Sequence, residues 1–319
     1  MKALQFAASG SLDNLNLIDQ PRPRLSPGEV LVNIKAAGLN TSDVSNVLGK
    51  HPYTTLPRIP GRDFAGVIVE GSSDLLGREV WGTGCEFGFT RDGSFAAFIC
   101  APADGVAKKP ASLSFAQAAA CGVPLITAWT GLERSQVRGG CRMLVLGAAG
   151  GVGSAAVKLG RWLGAEVVAV VRQAEQASAL ESQGIATLHL KSGESIAHAA
   201  KNILGNGFDV VFEATGALLA EAVPLLAPFG RVVVIVSHGD GNVNVPVRDL
   251  YRRAGSIVGV NSLLYSATDC AKILARLGPA FDSGELSPPA AIVQRTFDNA
   301  IGTFRELQRG ARCKFVFTA

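Results

Sequence analysis

The sequence predicts an α/β protein, with a doubly wound parallel sheet joined to a turn-rich β lobe. Three observations carry that reading. From about residue 115, Val-rich apolar runs alternate with helical patterns, as βαβ units do. The run Met143–Gly147 leads through Ala148-Ala149-Gly150-Gly151-Val152-Gly153 directly into a helical pattern. Residues 1 to about 115 instead hold short apolar runs cut by Pro and Gly.

In chain order, strands are expected at 30–39, 65–71, 78–83 and 94–102, separated by Pro27-Gly28, Pro60-Gly61 and Asp92-Gly93. Residues 114–133 lack breakers apart from Gly122 and Pro124 and read as helical. Strands follow at 143–147, 165–171, 186–190, 208–216, 230–236 and 256–260. Helical stretches lie between them at KLGRWLG, AEQASALESQG, ESIAHAAKNILG and LLAEAVPLLAPFG. The strands are apolar on both faces, which suits a sheet covered by helices on both sides. Amphipathic helices are expected near 267–280 and 297–309, before a closing strand, CKFVFTA, that suggests a return to the first lobe.

At 319 residues the chain exceeds one typical core, so two domains are expected. Its 48% hydrophobic and 18% charged residues exclude a disordered chain. The net charge of +4 comes from scattered residues with no basic stripe, so no nucleic-acid partner is expected. No apolar run reaches about 18 residues without a charge, so no membrane partner is expected, and the N-terminus does not read as a signal peptide. The six cysteines are widely spaced with no C-x-x-C, which points to reduced thiols and a cytoplasmic protein.

The turn after Met143–Gly147 has the strand–turn–helix context of a dinucleotide site. Gly150 lets the backbone approach a pyrophosphate and Gly153 lets helix and strand pack closely. The free N–H groups at the helix start, beside Ala149, Gly150, Gly151 and Val152, suit phosphate oxygens. The first glycine of G-x-G-x-x-G is replaced by Ala148. The next strand ends at Arg172 with no acidic residue before Glu175, and an arginine there accommodates the 2′-phosphate, so NADP(H) is the expected cofactor. Ser237 and His238 follow the strand 230–236, at the sheet edge where nucleotides bind. Walker and G-x-S-x-G motifs are absent.

Taken together, AAGLNTSDV (36–44), GKHPYTTLPRIPGRDFAGVIVEG (49–71), DGSFAAFICAPADGVAKKP (92–110), PLITAWTGL (124–132), LGAAGGVGSAAVKLGRWLGAEV (146–167), FDVVFEATG (208–216) and GRVVVI (230–235) resemble the medium-chain dehydrogenase/reductases. Within them the resemblance is to the zinc-independent quinone oxidoreductase and enoyl reductase branch. It implies a GroES-like catalytic domain of residues 1–118 and 258–319, with a Rossmann domain, 119–257, inserted. Asn40 and Arg62 stand where zinc-dependent relatives carry Cys and His, and neither replaces such a ligand well, so no metal is expected. Without a Lewis acid, hydride delivery to an electron-poor acceptor is favoured: a quinone, or the β-carbon of an α,β-unsaturated carbonyl. An enoyl thioester is the narrower alternative. A non-catalytic NADPH-binding sensor or structural protein is the alternative of another class.

The resemblance also assigns residues. Tyr53 is similar in position to a tyrosine that enoyl-thioester reductases use near the substrate, and a phenol can donate a proton; packing on the nicotinamide is the plainer role. Asn40 resembles a family asparagine beside nicotinamide and substrate, though Asn also suits a helix start. Arg62 offers a fixed positive charge or an ion pair with Asp63 or another acid. Asp43 reads as a helix-start acid, and His51 as a solvated loop residue or a proton relay. Thr127 and Asn261 resemble cofactor-contacting positions. Arg248, Arg252 and Arg253 suit either a pantetheine phosphate or a solvated helix face. The apolar segment 256–260 suggests edge-to-edge pairing in a homodimer. The remaining partner is a small electrophilic substrate.

Overall fold

The computed structural model describes residues 1–318, which form two compact units, Met1–Ile126 with the residues from Ser262 onward, and Thr127–Asn261. In the first unit the long strand Glu29–Gly38 organises a seven-stranded sheet. It pairs antiparallel with Asp63–Glu70, Phe98–Pro102 and the terminal strand Lys314–Thr318. Glu79–Gly82 and Ala107–Lys108 extend one side, and Ile292–Arg295 the other. The core beneath is aromatic: the Phe95 ring lies 5.8 Å from Phe304 and 5.2 Å from Phe317, edge to face.

Lys2–Phe6 and Leu15–Asp19, a separate antiparallel pair, are strands that the sequence pattern did not single out. The expected strand 94–102 joins the ladder only at Phe98. Before that, Phe95 N–H bonds to Pro60 O and Ala97 N–H to Lys2 O, while Ala97 O alone still accepts the Ile34 N–H of the sheet. The C-terminal helices run Ala267–Asp282, capped by Ser266 with Asp269, and Ala300–Gln308.

The second unit holds six parallel strands in the order Ala186–His189, Glu166–Val171, Arg142–Leu146, Phe208–Glu213, Leu226–Val234, Ser256–Gly259. The chain winds outward in both directions from Arg142–Leu146, which is the Rossmann order. The crevice of such a sheet lies where the order reverses, past the ends of Arg142–Leu146 and Phe208–Glu213. The expected helix through LLAEAVPLLAPFG is cut short. Only Leu219–Ala222 is α-helical, a 3-10 turn follows at Val223–Leu225, and the next strand already begins at Leu226. Pro224 has no N–H to continue the ladder.

The helix Gly151–Trp162 packs directly on the turn that precedes it. A Cβ on Gly153 would lie 2.1 Å from the Gly147 carbonyl oxygen, which is backbone and cannot step aside. Gly153→Ala should therefore cost about 2 kcal/mol through overpacking, a fall of roughly 5 °C in thermal midpoint. Gly302, in the helix Ala300–Gln308, faces open space. Gly302→Ala should raise stability by about 0.5–1 kcal/mol through helix propensity, measured in the same melts.

Candidate active site

In the second unit, Ala148 is fully buried where a first glycine would stand, and Ala149, Gly150 and Gly151 are exposed. Gly150 is the N-cap and brings no side chain to the first turn, whose N–H groups stay available, with Val152 half-buried beside them. This arrangement fits a pyrophosphate: exposed backbone, a helix start, and no side chain in the way. Arg172, immediately past Glu166–Val171, is exposed and, among the described residues, has no hydrogen-bond or ion-pair partner.

Past the ends of Phe208–Glu213 and Leu226–Val234 lies a crevice of about 320 Å³ lined by Glu213, Gly216, Val236, Ser237 and Asn242 among others. His238 is exposed and lies beside Gly216. Glu213 is fully buried, and its carboxylate accepts the N–H groups of Thr215 at 2.8 Å and Gly216 at 2.9 Å, with the Thr215 hydroxyl as a further donor. It thereby fixes the loop that forms the crevice wall. The sequence does not single out Glu213; its signal is an acid closing a strand whose core, Val210–Phe212, is apolar. Thr127 is buried in the helix Gly122–Arg134, and Asn261 is exposed just after Ser256–Gly259.

In the first unit, Asn40 is the N-cap of the helix Thr41–Val47 and is 8% exposed. Its backbone N–H donates to Asp43 Oδ2 at 2.8 Å, so Asp43 is the acid that closes the helix start. The Asn40 amide turns to a different set of groups. It donates to Asp63 Oδ2 at 2.8 Å and accepts from Lys314 Nζ at 2.6 Å. Asp63 is fully buried; it also accepts Val123 N–H at 2.8 Å and pairs with Lys314 at 3.5 Å. A Cβ at Gly122 would lie 2.3 Å from Asp63 Oδ1, so the close approach of that backbone requires glycine.

Arg62 is fully buried, yet the ion pair with Asp63 that its neighbourhood in the sequence suggested does not form. Its Nε donates to Gly84 O at 2.9 Å, and its terminal nitrogens donate to Ser262 Oγ and Ser262 O, both at 3.1 Å. Asp63 is instead satisfied by Lys314, brought by a strand some 250 positions away, which adjacency in sequence cannot reveal. Tyr53 is 48% exposed and its hydroxyl lies 3.1 Å from His51 Nδ1. Burial raises the Tyr53 pKa; burial first, then the Arg62 and Lys50 charges, lowers that of His51. Burial and Glu86 push the Cys85 thiol up to about 11, which disfavours its thiolate.

These residues do not fit a catalytic zinc. Asn40 is committed to Asp63 and Lys314, Arg62 is cationic, and among the described residues no three His, Cys, Asp or Glu side chains gather as a metal site.

Two family models match the chain: an alcohol dehydrogenase GroES-like domain over residues 26–111 and a zinc-binding dehydrogenase over 151–277. A zinc-type alcohol dehydrogenase-like protein of Schizosaccharomyces pombe is 34% identical over all of this chain and 97% of its own. The chain belongs to the medium-chain dehydrogenase/reductase superfamily. Within it, a 2-methylene-furan-3-one reductase of Solanum lycopersicum is 32% identical over 97% of this chain and 76% of its own. The solved quinone oxidoreductase of Pseudomonas syringae superposes with a TM-score of 0.86 at 26% identity, covering 100% of this chain and 99% of its own. The protein is thus a medium-chain oxidoreductase with the GroES-like and Rossmann-type domains of that superfamily, whose members bind nicotinamide cofactors. Among the described residues no helix is long and apolar enough to cross a membrane.

Asp43 gives this site a pH signature. Burial, then the nearby Asp63 charge, raises its pKa from 3.8 to about 7, and its Oδ1 is buried without a hydrogen-bond partner. Between those values the folded state keeps a proton that the unfolded chain releases. Its stabilising contribution is full below about 3.8, declines as pH rises, and is gone above about 7. Asn at this position can still accept the Asn40 N–H. Thermal melts from pH 4.5 to 8 should show wild type losing several degrees relative to Asp43→Asn across that range.

Proposed function

We propose that the protein is a zinc-independent, NADPH-dependent reductase that delivers hydride to a quinone or to the β-carbon of an α,β-unsaturated carbonyl. The observation that carries this reading is the occupancy of the two zinc-ligand positions. Asn40 is locked in a network with Asp63 and Lys314, and Arg62 is a buried cation. A Lewis acid that lowers the alcohol pKa favours alcohol oxidation and is not provided for here, whereas an electron-poor acceptor needs only a donor for the charge that develops on its oxygen. The names of the tomato reductase and the Pseudomonas quinone oxidoreductase support this acceptor class. An enoyl thioester is the narrower version.

When bound, the reduced nicotinamide supplies the hydride. The chain's own residues bind and protonate. Ala149, Gly150, Gly151 and Val152 hold the pyrophosphate, and Arg172 holds the 2′-phosphate. Ser237 and His238 border the crevice, and Thr127 and Asn261 complete the cofactor contacts. Tyr53 gives the proton; burial raises its pKa, and the buried Arg62 charge partly offsets that rise. The edge strand Ser256–Gly259, with Ile257 exposed, pairs with a second copy as a homodimer. The six widely spaced cysteines suit the reducing cytoplasm.

The deciding experiment is NADPH consumption, with NADH in parallel, against a small quinone and a short enoyl thioester. Turnover with NADPH is expected; tight binding with no turnover would favour a sensor or structural role. Tyr53→Phe should lower kcat tenfold or more, and unchanged kcat removes its role. Arg172→Ala should weaken NADPH binding about tenfold, as loss of a charge-assisted bond does, and leave NADH binding unchanged in a fluorescence titration. Light scattering should report a dimer.

A further inference from the structure

Tyr53 does not stand alone in its loop. Its hydroxyl lies 3.1 Å from His51 Nδ1, and both rings pack on the buried Phe89, at centroid distances of 5.8 and 5.2 Å. The segment is pinned on several sides. Thr54 N–H bonds to His51 O at 3.2 Å and Thr55 N–H to Phe89 O at 3.0 Å. Thr54 Oγ1 donates at 2.6 Å to the buried Asn46, whose amide donates in turn to Gly88 O at 2.7 Å. The imidazole is therefore held against the phenol by the scaffold and is not a free loop side chain. The charged and titratable groups acting on the pair are Arg62 and Lys50 on His51, and Arg62 and Cys85 on Tyr53. The two cations disfavour a charged imidazole, and burial keeps the phenol protonated.

We propose that His51 is the positioning and relay residue for Tyr53: it fixes the phenol and returns a proton to it from solvent after each turnover. This inference rests on the reductase reading with Tyr53 as donor. In the step, the Tyr53 O–H bond breaks and its proton goes to the reduced acceptor, which already carries the hydride and its electron pair. The phenolate oxygen takes the proton from His51 Nδ1–H, and His51 Nε2 takes one from water. One solvent proton is consumed, and the imidazole ends neutral with its proton on Nε2; exchange with water restores the Nδ1–H tautomer.

The test compares wild type with His51→Asn, His51→Phe and Tyr53→Phe. An Asn amide occupies the place of Nδ1 and keeps the hydrogen bond but cannot pass a proton; Phe keeps the ring packing and loses both. Two readouts are used. The first is the titration of ¹³C-labelled tyrosine by NMR, with the signal among Tyr53, Tyr251 and Tyr265 assigned by its loss in Tyr53→Phe. The second is turnover of NADPH with the crotonyl thioester of N-acetylcysteamine, with and without added imidazole. In His51→Phe, Tyr53 should become about tenfold harder to ionise, and in His51→Asn it should stay near wild type. His51→Asn should lose about tenfold in kcat with KM unchanged, and imidazole should restore it in proportion to its concentration. Unchanged Tyr53 titration in His51→Phe overturns the bond. Undiminished kcat in His51→Asn, or a loss that imidazole does not rescue, overturns the relay. Undiminished kcat in Tyr53→Phe fails the donor reading itself. A wild type that binds NADPH without reducing the thioester fails the reductase reading and the relay with it, while the titration still decides the bond.

Discussion

The first unit depends on one buried carboxylate. Asp63 opens a strand and is reached by the Asn40 amide, by Val123 N–H and by the ammonium of Lys314, so four separate segments meet at its two oxygens. An isolated carboxylate in that interior would carry a large desolvation cost, which only a complete set of donors offsets. Other features follow from that requirement. Gly122 has no side chain because Asp63 Oδ1 occupies the space, and Asn40 turns its amide away from the helix it begins. Asp43, left beside this charge with one oxygen unpartnered, is driven toward its neutral form.

Arg62 completes the electrostatics without closing an ion pair. Its donors go to carbonyl and hydroxyl oxygens, so its charge is not cancelled at contact range, and it acts on Asp43, His51, Tyr53, Cys85 and Cys270. A fixed cation of this kind gives the surrounding polar groups a positive potential without a bound metal.

Much of this was legible in the sequence, for reasons that differ by region. The parallel sheet and the turn before Gly151–Trp162 were readable because the central strands are buried on both faces and largely Val-, Leu- and Ala-rich. The β lobe was readable from its breakers, but Lys2–Phe6 and Leu15–Asp19 have too little contrast with their flanks to mark themselves. Pro224 lies inside the expected helix and the α-helix stops before it, a break that composition alone does not place. Asn40 was correctly seen at a helix start, but the partners of its side chain come from distant strands, as does Lys314 for Asp63. Long-range pairing of single polar residues leaves no periodic trace. Glu213 follows the apolar Val210–Phe212 and acquires meaning only when the loop after it is seen to fold back on its carboxylate.

The terminal strand Lys314–Thr318 is an interior member of its sheet, hydrogen-bonded on one side to Ile292–Arg295 and on the other to Ala36–Gly38. A chain emerging from the ribosome N-terminus first makes every other strand of that sheet before this one. Until it arrives, the sheet stays divided, Phe315 and Phe317 are missing from the core, and Asp63 lacks its ammonium. The intervening residues, with their local βαβ connections, have everything needed to pair among themselves meanwhile. The order of synthesis thus makes the first unit the later of the two to be completed: the parallel sheet can finish while the β lobe, still open and aggregation-exposed, waits for its last interior strand.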